Sequence, residues 1–281
     1  NLVRSGRLDA PVIGLARDGG LEKIKARLTE SLQRYGGGID PAAHARLLEL
    51  LRYEEGNYQD PETFRRLRKA LGAAQHPLHF LAIPPTLFGP VVSSLGDSGC
   101  ARGARVMVEK PLGRDFASAA ALNHTLRTVF DEDDIFRIDH FLGKEAVQNL
   151  LYFRFANSFL EPVWNRTYID HIQITMAERF GVEGRGKLYE ELGAVRDVVQ
   201  NHLLQVVAML LMEPPNSLGS ESLRDENAKV LRAIQPLAPG AVVRGQYAGY
   251  RNEKGVDPRS NVETFAALRL HLDTWRWSQV P

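Results

Sequence analysis

Apolar and polar positions alternate in two different ways along the chain, and the change comes near residue 138. Before it, short apolar runs are separated by stretches of helical period. Residues 11–16 form an apolar run ending at Arg17, and Leu21, Ile24, Leu28 and Leu32 then repeat at helical spacing. Gly36-Gly37-Gly38 breaks that pattern, and a second helix-like run comes next through Leu47, Leu48, Leu50 and Leu51. Residues 79–83 make a buried-type strand stopped by Pro84-Pro85, and residues 105–108 another, stopped at Glu109-Lys110-Pro111. Strands alternating with helices predict a parallel sheet with helical crossovers. Ligands of such sheets sit beyond the carboxyl ends of the strands, where Arg17, Pro84 and Lys110 all fall.

After residue 138 the texture is different. A helix is predicted over 145–155, and a longer one over roughly 189–212. Between them, Ile172, Ile174, Met176 and Glu178 alternate onto one face of a segment spanning 168–178. Near the end Ala266, Leu268, Leu270 and Leu272 alternate with Arg269, His271 and Asp273, the pattern of a half-exposed antiparallel strand. Strands grouped late predict a second, α+β domain. The chain opens without methionine on what reads as the tail of a helix, and stops at Trp275-Arg276-Trp277 just after a strong strand. The expectation is a fragment with both ends missing.

Composition narrows the function. The 281 residues are 44% hydrophobic and 25% charged, ordinary for a globular protein. A formal charge of +1 provides no basic field for nucleic acid. No apolar run reaches the length of a membrane span, 206–212 being the longest candidate, and no signal peptide is expected. A single cysteine, Cys100, cannot build a disulfide framework and fits a cytoplasmic location.

The densest chemistry is the run Arg137-Ile138-Asp139-His140-Phe141-Leu142-Gly143-Lys144-Glu145. Burying Asp139, His140 and Lys144 together is costly unless they pair or hold something. A phosphate between His140 and Lys144, with Asp139 turned toward another titratable partner, would satisfy all three: a sugar-phosphate site in outline. On the long helix, His202 is suited to accept a proton at neutral pH, and a carboxylate partner would set its tautomer. Asp197 lies five residues before His202, about 140° away on a regular helix, so the two meet one ligand only if the helix lines a cleft. Arg17 suits the 2′-phosphate of NADP, while Asp18 beside it would repel that phosphate and leaves NAD open. Lys110 closes its strand at the crevice, though a solvated lysine in a strand-to-helix turn reads equally well. Gly181-Val182-Glu183-Gly184-Arg185-Gly186-Lys187 fits a phosphate loop, but Leu188 stands where Ser or Thr would hold magnesium, so a triphosphatase is a distant third reading. No metal-ligand spacing is present.

These residues together resemble the glucose-6-phosphate dehydrogenase family. The resemblance runs through the whole chain: Ala82-Ile83-Pro84-Pro85, Glu109-Lys110-Pro111-Leu112-Gly113-Arg114-Asp115, the 137–145 run, residues 149–165, Gly184-Arg185-Gly186, and Arg196-Asp197-Val198-Val199-Gln200-Asn201-His202-Leu203-Leu204-Gln205. It implies oxidation of β-D-glucose 6-phosphate to the 6-phosphoglucono-lactone with hydride transfer to NADP, the first step of the oxidative pentose phosphate pathway. It implies His202 as general base oriented by Asp139, His140 and Lys144 on the phosphate, and Glu178 and Asp197 on sugar hydroxyls. Lys110 would touch substrate and cofactor, followed by a cis proline; Arg17, Pro84 and the Asn57-Tyr58 turn would lie on the cofactor side.

The implied fold is a Rossmann-like α/β dinucleotide-binding domain over 1–138, lacking its first strand. An incomplete α+β substrate domain with a mainly antiparallel sheet occupies 139–281. The implied assembly is a homodimer or homotetramer. Three residues depart from the family's habit: Phe141 replaces a common tyrosine, Asn57 a common aspartate, and Asp18 a small polar residue. The family's Gly-rich loop would precede residue 1 and an Arg-x-Gly-Lys segment would come after residue 281, so the expectation is weak cofactor binding by this polypeptide alone. The other reading is a non-catalytic sugar-phosphate-binding fragment of the same fold.

Overall fold

The computed structural model describes residues 1–113, 115–217 and 219–281; Arg114 of the Glu109–Asp115 motif lies outside them. The chain forms two compact units, Asn1–Ile138 and Asp139–Pro281.

The first unit alternates β1 (Val12–Ala16), α1 (Gly20–Tyr35), α2 (Pro41–Leu50), β2 (Leu51–Glu55), α3 (Pro61–Leu71), β3 (Leu78–Leu81), α4 (Phe88–Asp97), β4 (Arg105–Glu109), α5 (Phe116–Val129) and β5 (Ile135–Ile138). Helices α2 and α3 start where the chemistry requires it. Asp40 and Asp60 accept hydrogen bonds from Ala43 N and Glu62 N, and each is followed by a proline at the first helical position. The strands pair in parallel, in two pieces: β1 with β2, and β3-β4-β5 in that order. Phe64, Phe88, Val92, Leu95, Val106, Val108 and Leu126 form the core beneath them.

Three boundaries differ from expectation: β3 ends at Leu81 and not at Ile83, the late alternation over 266–272 is a paired strand only to Leu268, and the third lies at the end of α2. Leu51 belongs to β2 and not to the helix before it. Leu50 ends α2 buried and Leu51 opens β2 half-buried, so two adjacent leucines turn inward across the junction and periodicity carries no mark of the change.

The second unit contains α6 (Glu145–Phe155), α7 (Gly186–Ala194), a π-helical segment (Val195–Leu203), α8 (Leu204–Leu211), α9 (Ser220–Ala233), β6 (Val242–Gly245) and β7 (Phe265–Leu268). β6 and β7 pair antiparallel. The long helix expected over 189–212 is therefore three pieces. Gly193 interrupts α7 at φ 67°, ψ 173°, and the wider π turn comes directly after it.

Residues 169–178 carry neither helix nor strand, and Tyr168 closes a turn before them, so the expected strand over 168–178 is absent. Ile172, Ile174 and Met176 are half-buried between exposed neighbours, so the alternation survives. Its backbone bonds outside the segment include Ile172 N to Pro281 O, with no strand ladder beside it among the described residues. Alternating burial is a property of extended backbone; a ladder also needs a partner.

The last carbonyls of α8 are capped by side chains from elsewhere in the unit. Arg154 Nη1 donates to Met209 O (2.9 Å), Trp164 Nε1 to Leu210 O (2.7 Å) and Trp277 Nε1 to Leu211 O (2.8 Å). Helix ends leave such groups without intrahelical partners, and these three donors satisfy them inside an apolar cluster of Val207, Ala208, Met212, Val230 and Trp277. Among the described residues no helix is long and apolar enough to cross a membrane.

Candidate active site

Asp139 begins a short 3₁₀ turn, His140–Gly143, and its Oδ1 accepts the Phe141 backbone N–H at 3.0 Å. Side-chain capping of this kind is what aspartate does best at a turn. The same Oδ1 lies 2.6 Å from Nδ1 of His202, whose side chain is only 4% exposed. A carboxylate can only accept, so a proton between the two belongs on Nδ1, the tautomer that leaves Nε2 as the basic nitrogen.

Aromatic contacts fix the ring plane. Phe141 stacks on His202 with centroids 4.9 Å apart, and His140 meets it edge-on at 5.2 Å. Lys144 Nζ sits 4.6 Å from the centre of the Phe141 ring, a cation–π contact. Lys144 also occupies the position before α6, and His140 lies on the turn leading to it. The positive end of the helix dipole thus falls beside two groups able to hold an anion.

Asp197 stands on the same π segment as His202 and is half-buried. The regular-helix spacing of about 140° does not apply here. Backbone bonds running from i to i+5 stack residues five apart, which brings Asp197 and His202 toward one side of the segment. Glu178 lies in the same unit, exposed, in the 169–178 segment, and the contacts that join Asp139, His140, Phe141, Lys144 and His202 do not include it.

The remaining sequence candidates belong to the first unit. Arg17 follows β1, Asn57 and Tyr58 follow β2, Pro84 follows β3 and Lys110 follows β4, so all five lie past the carboxyl ends of parallel strands. Arg17, Asn57 and Pro84 are exposed, and Lys110 is half-buried. Tyr58 donates its hydroxyl to Leu15 O at 2.9 Å and packs on the core, which ties the end of β1 to the turn after β2. The Lys110–Pro111 peptide is cis, as the resemblance implies.

The Gly-rich 181–187 loop is built by packing. Val182 is buried, Glu183 and Gly184 have positive φ, and a Cβ on Gly186 would fall 2.5 Å from Lys254 O. Phe141 is the residue that sequence reasoning undervalued. Its signal was present, an aromatic inside the Asp-His-x-Leu-Gly-Lys run, but its stacking partner comes from a helix far along the chain.

Residues 1–149 match the family described as glucose-6-phosphate dehydrogenase, NAD binding domain, and residues 151–281 match its C-terminal domain. The chain belongs to the glucose-6-phosphate dehydrogenase family. It is 47% identical over its full length to glucose-6-phosphate 1-dehydrogenase 1 of Mycobacterium tuberculosis, covering 60% of that protein. Glucose-6-phosphate 1-dehydrogenase 6, cytoplasmic, of Arabidopsis thaliana is 39% identical, with 58% of its length covered. The crystal structure of the glucose-6-phosphate 1-dehydrogenase from Mycobacterium avium superposes on the whole chain with a TM-score of 0.94 at 47% identity, and the chain covers 62% of it. A glucose-6-phosphate dehydrogenase solved in complex with its substrate glucose-6-phosphate matches 99% of the chain with a TM-score of 0.90 at 38% identity, again covering 62% of that chain. The chain therefore spans about 60% of the length of the glucose-6-phosphate dehydrogenases it matches.

Proposed function

We propose that the protein containing this chain oxidises β-D-glucose 6-phosphate at the anomeric carbon and delivers hydride to NADP. The observation that carries the reading is the 2.6 Å pair between Asp139 and His202, flanked by His140 and Lys144. Asp139 holds the His202 tautomer whose Nε2 accepts the proton of the anomeric hydroxyl. Hydride leaves the same carbon, so the sugar loses two electrons and two hydrogens and becomes the 6-phosphoglucono-lactone. A bound nicotinamide supplies the two-electron acceptor. His140, Lys144 and the start of α6 hold the phosphate, which anchors the sugar at a point remote from the reacting carbon. Glu178 and Asp197 are assigned to sugar hydroxyls in the same reading.

The cofactor residues are Arg17 at the adenosine 2′-phosphate, Asn57, Tyr58 and Pro84 along the nucleotide, and Lys110 toward both cofactor and substrate. Their position past the carboxyl ends of parallel strands fits a dinucleotide. Arg17 favours NADP, with Asp18 leaving room for NAD. The enzyme is placed in the cytoplasm, supported by a single buried and unbridged Cys100. Assembly into a homodimer or homotetramer is supported by the exposed face of β6–β7, where Val243 is 60% and Phe265 54% exposed.

The test is direct. Full-length protein is mixed with glucose 6-phosphate and NADP, and reduced nicotinamide is followed by absorbance for wild type and His202→Asn. The expected outcome is turnover in wild type and a kcat lower by about 10³-fold in the variant, the scale of losing a general base. Wild-type turnover that survives the substitution removes His202 as the base. Sugar-phosphate binding by wild type without turnover supports the non-catalytic reading instead.

A further inference from the structure

We propose that Glu263 is a positioning residue for the dehydrogenase site, setting the start of the π-helical segment that carries Asp197 and His202; this deepens the proposed function and rests on it. Glu263 lies just before β7 and is buried. Its Oε1 accepts the Val195 backbone N–H at 3.1 Å, and its main-chain carbonyl accepts Ala194 N–H at 2.9 Å. These two amides lie at the start of the segment Val195–Leu203, and an acidic acceptor there also faces the positive end of the helix dipole. Arg244 on β6 stands 3.8 Å from the other oxygen, Oε2.

The approach is too close for a side chain at the break. A Cβ on Gly193 would fall 2.5 Å from Oε1 of Glu263, and Gly193 has a φ of 67° that L side chains rarely adopt. Glycine and glutamate therefore form one device: the glycine opens the backbone, and the glutamate anchors the first turn of the π segment.

A π-helical run needs such a device. It is rare because its turn is wide, and isolated backbone prefers the α register. Here the far end of the helical stretch is held by Arg154, Trp164 and Trp277 on the α8 carbonyls, and the near end by Glu263. With both ends fixed, the wider turn between them persists. Release of the near end lets the segment relax toward α register, where Asp197 swings about 140° away from His202. The His202–Asp139 pair lies nearer the held end and is less exposed to that change.

The experiment uses the full-length enzyme with Glu263→Ala, Glu263→Gln and Gly193→Ala. Expected for Glu263→Ala are a fall in kcat of about tenfold or more and a raised KM for glucose 6-phosphate, with KM for NADP unchanged. Glu263→Gln keeps an acceptor oxygen and is expected within about threefold of wild type; Gly193→Ala should behave like Glu263→Ala. Hydrogen exchange of the 194–203 amides is read alongside and should speed up in Glu263→Ala. Wild-type kcat and sugar KM per folded active site in Glu263→Ala overturn the proposal, as does a Glu263→Gln enzyme no better than Glu263→Ala. If wild type itself oxidises no glucose 6-phosphate, the dehydrogenase reading fails, and exchange alone then decides: unchanged protection of 194–203 in Glu263→Ala overturns the positioning role as well.

Discussion

The two units hold their candidate residues in different ways. In the first, Arg17, Asn57, Pro84 and Lys110 simply follow parallel strands, two on each of the two sheets, with exposed or half-buried side chains. In the second, Asp139 and His202 come from a turn and a distant helical segment and meet, the imidazole buried and the carboxylate half-buried, with Phe141 stacked against the ring. Placement by topology needs no contact between the residues themselves. Placement by convergence needs many, because a buried carboxylate or imidazole without its partner is costly. Substitutions of Arg17, Asn57 or Pro84 should therefore alter which cofactor is held and how tightly, whereas those of Asp139 or His202 should cut turnover itself.

The sharpest way to break that contrast is Asp139→Asn. The amide can turn an N–H toward Nδ1 of His202, which moves the ring proton to Nε2 and leaves no base facing the sugar. Steady-state kinetics on the full-length enzyme should show kcat lower by about 10³-fold, with KM for glucose 6-phosphate changed by less than about threefold. A fall of under tenfold means the pair orients nothing, and the distinction between the two units loses its chemical basis.

The same contrast explains what the sequence made legible. The turn with Asp139, His140 and Lys144 is local, so its charge density can be read from adjacent letters. The expected burial of all three is not met, since Asp139 is half-buried while His140 and Lys144 are exposed and keep their charges in water. α6 over Glu145–Phe155 has the bounds expected, although its residues meet two clusters, Val147 and Leu150 in one and Phe155 in the other, and Tyr152 and Phe153 stay exposed. The π segment is illegible, because its width is imposed by contacts at both ends and not by the period of its own residues. The 169–178 segment shows the reverse failure, a correct alternation without a ladder. Only Leu51 of β2 belongs to the leucine-rich run, and Arg52-Tyr53-Glu54-Glu55 carries too little apolar alternation to announce a strand. The Asp40-Pro41 and Asp60-Pro61 pairs, by contrast, are start signals that composition alone could have supplied. Phe141 and Glu263 gain their importance from partners far along the chain, and neither carries a motif that announces it.

A weaker effect is expected in the first unit. Arg17→Ala removes one exposed guanidinium from the proposed 2′-phosphate site. KM for NADP should rise about tenfold while kcat stays within about twofold and KM for NAD is unchanged, the pattern of lost ground-state binding. Initial rates with both cofactors measure it. Equal losses with NADP and NAD would place Arg17 away from the 2′-phosphate and would mean that strand-end topology alone does not identify its ligand.

The smallest expected effect separates buried convergence that serves chemistry from buried convergence that serves stability. Glu190 on α7 accepts hydrogen bonds from Tyr250 Oη (2.5 Å) and Ser260 Oγ (2.7 Å), tying the helix to the 247–260 loop. Burial pushes its carboxyl up, but the bonds from Tyr250, Ser260 and the Asp257 amide outweigh that and leave it below the ordinary value of 4.5. A carboxyl depressed on folding stabilises the folded state fully above the unfolded pKa, and that contribution is lost as pH falls through the folded one. Thermal unfolding of wild type and Glu190→Gln should then differ most above about pH 5, with wild type the more stable, and converge as pH drops below 4.5. Turnover of the two should match near neutral pH, since Glu190 touches none of Asp139, His140 and Phe141, the residues in contact with His202. A stability gap that stays constant from neutral to acid pH would show that the hydroxyl donors recognise the shape of the side chain and not its charge.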